Sequence, residues 1–240
     1  MLRQIAEVFG KYIIIVSVTL RMIRHSWWFG RTIESDVAEF RRSVLYLFEI
    51  SVLAVLFGPM LLHLAEGAEA SRYPATQPQS LSFVATEFAS LGICLVHLLL
   101  GYFTYLGLCL FEEKPRLLPT MSVFCYWSGF FLIMVAVLLG GLVLLAELEA
   151  AIFGTEPCGY RPFPECPAPG IGLAILWWLA QFIFGTFTLC FWIINFRGFG
   201  WIGQANGTPG FRVYMVYLLV VLMCLFLLSL AIPLVSDALT

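Results

Sequence analysis

The sequence predicts an all-α, polytopic transmembrane bundle of five spans preceded by an N-terminal amphipathic helix on the membrane surface. Three observations lead there. Of 240 residues, 61% are hydrophobic and 12% charged, with a mean hydropathy of +0.93, whereas a soluble domain carries about 25% charged residues. Five segments reach the roughly 20 apolar residues that a hydrocarbon core of about 30 Å demands. Lys and Arg alternate in density from one connecting segment to the next, as the positive-inside rule expects. A water-soluble enzyme and a disordered linker are excluded. So is a nucleic-acid binder, because 13 Lys+Arg against 15 Asp+Glu leave no basic excess for phosphates.

Residues 1–34 come first as a cytoplasmic interfacial segment. The uninterrupted run Tyr12 to Leu20 makes only about 14 Å of helix, too short to cross. Arg21 and Arg24 follow it, then Trp27, Trp28 and Phe29, aromatics that favour headgroup depth. The segment reads as a surface helix that reverses near Gly30. A sixth span and a cleavable signal are the competing readings, although only Arg-His-Ser-Trp-Trp follows the run, with no small-x-small cleavage site.

The membrane domain covers 35–240. Its predicted spans are Ser43 to Ala65, Leu81 to Phe111, Thr120 to Ala146, Gly170 to Asn195 and Val213 to Val235. Gly58-Pro59 is the one Gly-Pro break among them, read as an ordinary proline bend. Seven basic residues precede the first span, and the later loops hold one, two, one and two, so alternate sides carry eleven and two of the thirteen. This places the N-terminus in the cytoplasm and the C-terminus on the periplasmic, lumenal or extracellular side. Cys158 and Cys166 bracket the far-side loop, where an oxidising compartment favours a disulfide; the alternative is a reduced pair. Zinc is disfavoured because the loop has no His and no further Cys.

Four ionisable residues fall within or at the edge of apolar stretches: Glu49, His63, Glu87 and His97. From the cytoplasmic end of its span Glu49 lies about 9 Å deep and His63 about 30 Å. His63 and Glu87 then match in height, and His97 approaches Glu49 at one extreme of its register. Such groups face the bundle interior and seek partners. They are read first as interhelical glue, with a proton or substrate path, or a protonated unpaired Glu, as alternatives. A bis-histidine haem is rejected because His63 and His97 differ in height by at least about 9 Å. No cofactor or metal is expected.

Gly198-Phe-Gly-Trp-Ile-Gly203 matches Gly-x-Gly-x-x-Gly by letters, but no strand-turn-helix surrounds it, so the match is false. The stretch Arg197 to Arg212 reads instead as a flexible cytoplasmic turn. Its sequon, Asn206-Gly-Thr208, is expected to stay unglycosylated on that side. Ala136-x-x-x-Gly140, with Gly141 beside it, forms a small-xxx-small face for helix contact, and Gly101 and Gly185 are further candidates. No nucleophile motif is present, and no catalysis is expected.

Asp36-Val-Ala-Glu-Phe-Arg-Arg-Ser43 running into a span, and Phe111-Glu-Glu-Lys-Pro-Arg-Leu-Leu-Pro119 followed by Val123-Phe-Cys-Tyr-Trp127, resemble the Yip-domain family of five-pass membrane proteins over roughly residues 35–235, in span count and spacing. The loop Glu147 to Pro169 is longer than that family's far-side connections. The resemblance implies a non-catalytic five-helix protein, and it assigns no binding residue. The expected function is therefore that of a non-enzymatic protein acting through helix-helix contacts, as a scaffold or accessory subunit of a membrane complex or in membrane organisation or trafficking, whose partners are the bilayer and other membrane subunits, or itself. The alternatives are a small transporter or channel component using Glu49, His97, Glu87 and His63, and a cofactor-bearing electron-transfer subunit.

Overall fold

A computed structural model describes residues 15–70, 83–111, 115–153 and 171–239, with side chains described except at 57–70, 83–87, 146, 147, 149–153, 171, 228 and 230–239. The described residues form helices and no strand. Residues 15–24 are helical (α1) and lead through a turn into a short 3-10 helix, Phe29–Thr32. Five long helices follow: α2 (Val37–Ala70), α3 (Phe83–Phe111), α4 (Leu117–Phe153), α5 (Ile171–Asn206) and α6 (Gly210–Leu239). Among the described residues, four stretches are long and apolar enough to cross a membrane: Phe88–Phe111, Leu117–Leu145, Gly172–Asn206 and Gly210–Leu227. The protein is thus a helical membrane protein. The predicted first span lies on α2, and from residue 57 its side chains fall outside the described set.

Local chemistry explains where the helices begin and end. Asp36 caps α2, its Oδ1 accepting the Glu39 N–H at 2.6 Å, so Asp36-x-x-Glu39 stands in the capping-box pattern. Pro119 sits in the first turn of α4, where a missing N–H costs nothing.

α5 departs from expectation. Residues Arg197 to Asn206 continue the helix instead of forming a flexible loop, and only Gly207 to Pro209 turn the chain into α6. That turn is a Schellman stop. Gly207 adopts φ +74°, and the Thr208 N–H donates to the Gly203 carbonyl at 2.9 Å. A side chain at 207 meets no neighbour, so Gly207→Ala is expected to cost only the backbone strain, about 1 kcal/mol. A melting-temperature comparison in detergent checks this.

The chain divides into two compact units, the first made of Met1–Ile50, Leu91–Phe130 and Ile194–Thr240, the second of Ser51–Ser90 and Phe131–Ile193. In the first, residues 119–130 of α4 are buried without interruption, which marks α4 as its central helix. In the second, Phe131 and Phe191 pack at 5.9 Å.

Candidate functional site

The first unit carries an interlocked polar and aromatic cluster. Glu39, held in the first turn of α2 by its N–H bond to the Asp36 cap, has a side chain only 8% exposed. Tyr126 of α4 donates its hydroxyl to Glu39 Oε1 at 3.1 Å, and Arg42 Nη1 reaches Oε2 at 3.3 Å. Both carboxylate oxygens are partnered, as a buried charge requires. The Tyr126 ring packs on Tyr46 at 5.5 Å and edge-on to Phe29 at 5.8 Å, and Phe29 meets Trp201 at 5.1 Å. Tyr46 shares a 3.0 Å hydrogen bond with Thr19 of α1.

A second set of contacts clamps the N-terminal hairpin to α5. Arg197, Trp201 and Gln204 are spaced i, i+4, i+7, which puts them on one helix face. The Trp201 indole N–H donates to the Ser26 carbonyl at 2.6 Å and the Gln204 amide to the Trp27 carbonyl at 2.6 Å. The Arg197 guanidinium lies 3.4 Å from the Trp27 ring centroid, a cation–π contact. Gly30 makes the approach possible, because a Cβ there collides with the Trp201 backbone.

Two further locks join the helices. Trp127 of α4 donates its indole N–H to Asn195 Oδ1 of α5 at 2.8 Å, and its ring covers Gly198 one turn later, where a Cβ has no room. Asn206, at the end of α5, accepts the Arg116 backbone N–H at 2.8 Å and donates from Nδ2 to Thr120 Oγ1 at 2.7 Å. The last residue of one helix thereby satisfies an orphan donor at the start of another.

The second unit has a different character. α4 and α5 border an apolar groove of about 740 Å³, lined by Val137, Gly140, Gly141, Leu144, Ile183 and Phe187 among others. Gly141 lets Phe184 approach, since a Cβ there falls 2.8 Å from its ring. Gly140 lines the groove and Ala136 is half-buried one turn before it. Gly101 is likewise a contact position, against Phe124, whereas Gly185 meets no protein atom.

The structure distributes the sequence-predicted residues unevenly. Glu49 and His97 are half-buried within the first unit, and His97 Nδ1 bonds the Ile93 carbonyl of its own helix at 2.8 Å. The side chains of His63 and Glu87 lie outside the described residues, as does the loop with Cys158 and Cys166. Trp27 and Trp28 are exposed, as are Arg21 and Arg24. Met22 and Phe29, from the same segment, are buried against protein. Sequence reasoning missed Glu39, Tyr126, Trp127, Asn195, Trp201 and Asn206. The capping-box spacing at Asp36 and the lone Asn195 among apolar neighbours were the available signals.

Compared with protein families, with curated proteins and with solved structures, the chain matches none.

Proposed function

We propose that this chain is a non-enzymatic, five-span membrane protein acting through helix contacts, as a scaffold or accessory subunit of a membrane complex or in membrane organisation. The Yip-domain likeness in span count and spacing fits that role. Its N-terminus is cytoplasmic by the eleven-to-two division of basic residues, and Cys158 and Cys166 form a disulfide on the far side. The observation that carries the functional reading is the α4/α5 groove. A small residue on its wall, Gly140, permits the close backbone approach by which membrane helices associate. The clamps of Arg197, Trp201, Gln204 and Asn206 supply rigidity to the helices of the first unit, in keeping with a subunit whose task is to hold shape.

A photo-crosslinker at Val137, which is 48% exposed on the groove wall, tests the reading in native membranes. The expected result is one discrete adduct with a membrane polypeptide or a second copy, abolished by Gly140→Leu and retained by Glu49→Gln. If adducts are diffuse, and Glu49→Gln removes a pH-dependent ion flux in proteoliposomes, the transporter reading replaces this one.

A further inference from the structure

α5 carries an exposed seam on the side turned away from the α4/α5 groove. Ile175, Trp178, Phe182, Gly185, Leu189 and Trp192 follow one another at alternating steps of three and four residues, the a and d spacing of a coiled-coil face. All six are exposed, Trp178 and Phe182 at 73% each. Ala180, Phe184 and Phe187, which line the groove, stand on the other side of the helix. A Cβ at Gly185 meets nothing, so the middle of the seam is an open notch where a second backbone can come close. Lipid accepts the apolar side chains as they are, but two polar ones flank them.

Gln181 and Thr186 border the seam at positions g and e of its heptads. The apolar stretch of α5 begins at Gly172, which puts Gln181 about 14 Å along the helix, near the middle of a hydrocarbon core of about 30 Å. Among the described residues its carboxamide has no hydrogen-bond partner, a costly state in hydrocarbon, where no water can substitute. Thr186 is exposed, and its Oγ1 donates to the Phe182 carbonyl at 2.8 Å, so the oxygen keeps lone pairs to accept with. In two parallel helices packed along a and d, the g side chain of one faces the e side chain about five residues further on in the other, and Gln181 and Thr186 have that offset. Two copies inserted with one topology carry α5 parallel and at one depth, so a twofold axis along the membrane normal brings each Gln181 to the Thr186 of the other copy. We infer that the exposed face of α5 over residues 175–192 is the interface of a homodimer, with the Gln181 amide of each copy donating to the Thr186 hydroxyl of the other. A different subunit has to supply an acceptor at that depth, whereas a second copy already carries one. This interface uses neither Val137 nor Gly140, so it stands or falls separately from the groove reading.

Energy transfer between fluorophore-labelled full-length chains in liposomes, over a range of protein-to-lipid ratios, tests it. Wild type is expected to dimerise. Gln181→Leu and Thr186→Val are each expected to weaken the dimer about tenfold, the worth of two symmetry-related interhelical hydrogen bonds. The double variant is expected to be no weaker than either single one, because both remove the same bonds. Leu and Val keep the size of the residues they replace, so circular dichroism is expected to show unchanged helix content in all three. A benzophenone amino acid in place of Phe182 is expected to give, in native membranes, an adduct of twice the 27.0 kDa chain. A monomer at every protein-to-lipid ratio overturns the proposal. So does an absent Phe182 adduct or one with a different polypeptide, undiminished affinity in Gln181→Leu or Thr186→Val, or additive losses in the double variant.

Discussion

Trp201→Ala is expected to destabilise the protein by about 3–5 kcal/mol, the range for truncating a large buried aromatic. Trp201 is 1% exposed, and its ring contacts Phe29 at 5.1 Å and Phe130 at 6.4 Å. Removing the indole opens a cavity beneath the hairpin and leaves the Ser26 carbonyl without the 2.6 Å donor it has now. Because Phe29 also packs on Tyr126, the cavity reaches the partner of Glu39. A fall of about 10 °C in the detergent melting temperature is expected from a loss of that size. The hairpin is expected to become the first site of proteolysis. Trp201→Phe retains most of the volume and loses the hydrogen bond, so its smaller loss separates packing from polarity. If Trp201→Ala melts within a degree or two of wild type, the clamp does not hold the hairpin.

Gly198→Ala is expected to destabilise by about 1–3 kcal/mol, the usual cost of overpacking. A Cβ at 198 falls on the Trp127 ring, and that ring has nowhere to go. Its N–H is held by Asn195 at 2.8 Å, and Phe199, Phe124 and Tyr217 surround it at 4.8, 5.3 and 5.6 Å. Gly185, on the same helix, provides the control. A Cβ there meets nothing, so Gly185→Ala is expected to be neutral, or to stabilise by up to about 1 kcal/mol through helix propensity. Opposite signs for one substitution at two glycines of α5, read by thermal unfolding, are the expected signature. Equal effects contradict the close packing of α4 on α5 at this point.

These two positions also show how much was legible in the residues alone. The helical class and the membrane environment were plain, because a bilayer accepts only segments that satisfy their own backbone hydrogen bonds, and apolar length reports that directly. Helix ends were legible where a local device sets them, as at Asp36-x-x-Glu39 and at Pro119. The end of α5 was misplaced. Gly198, Gly200 and Gly203 lower helix propensity by about 1 kcal/mol each and suggest a loop, yet the same missing side chains admit Trp127 at 198 and the Thr208 carbonyl beside 203. At 198 tertiary packing outweighed propensity, and its partner Trp127 stands far away in the chain.

The candidate sites divide in the same way. Small residues at 140 and 141 were readable as a contact face, but the groove they line depends on the facing residues of α5. The Asp36-x-x-Glu39 spacing was an available but unread signal of a helix start, while the burial of Glu39 and its bond to Tyr126, 87 positions away, left no mark in the sequence. Arg212 read as one of two arginines flanking a turn, and only the pairing of α3 with α6 brings it beside Leu108 and Phe111.

What the amino-acid sequence determined by itself is therefore the set of properties carried by runs of neighbouring residues: helices, their apolar length and the asymmetry of basic charge. The tertiary structure decided which polar groups meet, which glycines are contacts, and where the helices leave an open groove. The physical reason is range. Hydrophobic length and backbone hydrogen bonding within a helix depend on residues a few positions apart, whereas Glu39 with Tyr126, Trp127 with Asn195, and Arg116 with Asn206 depend on how separate helices pack.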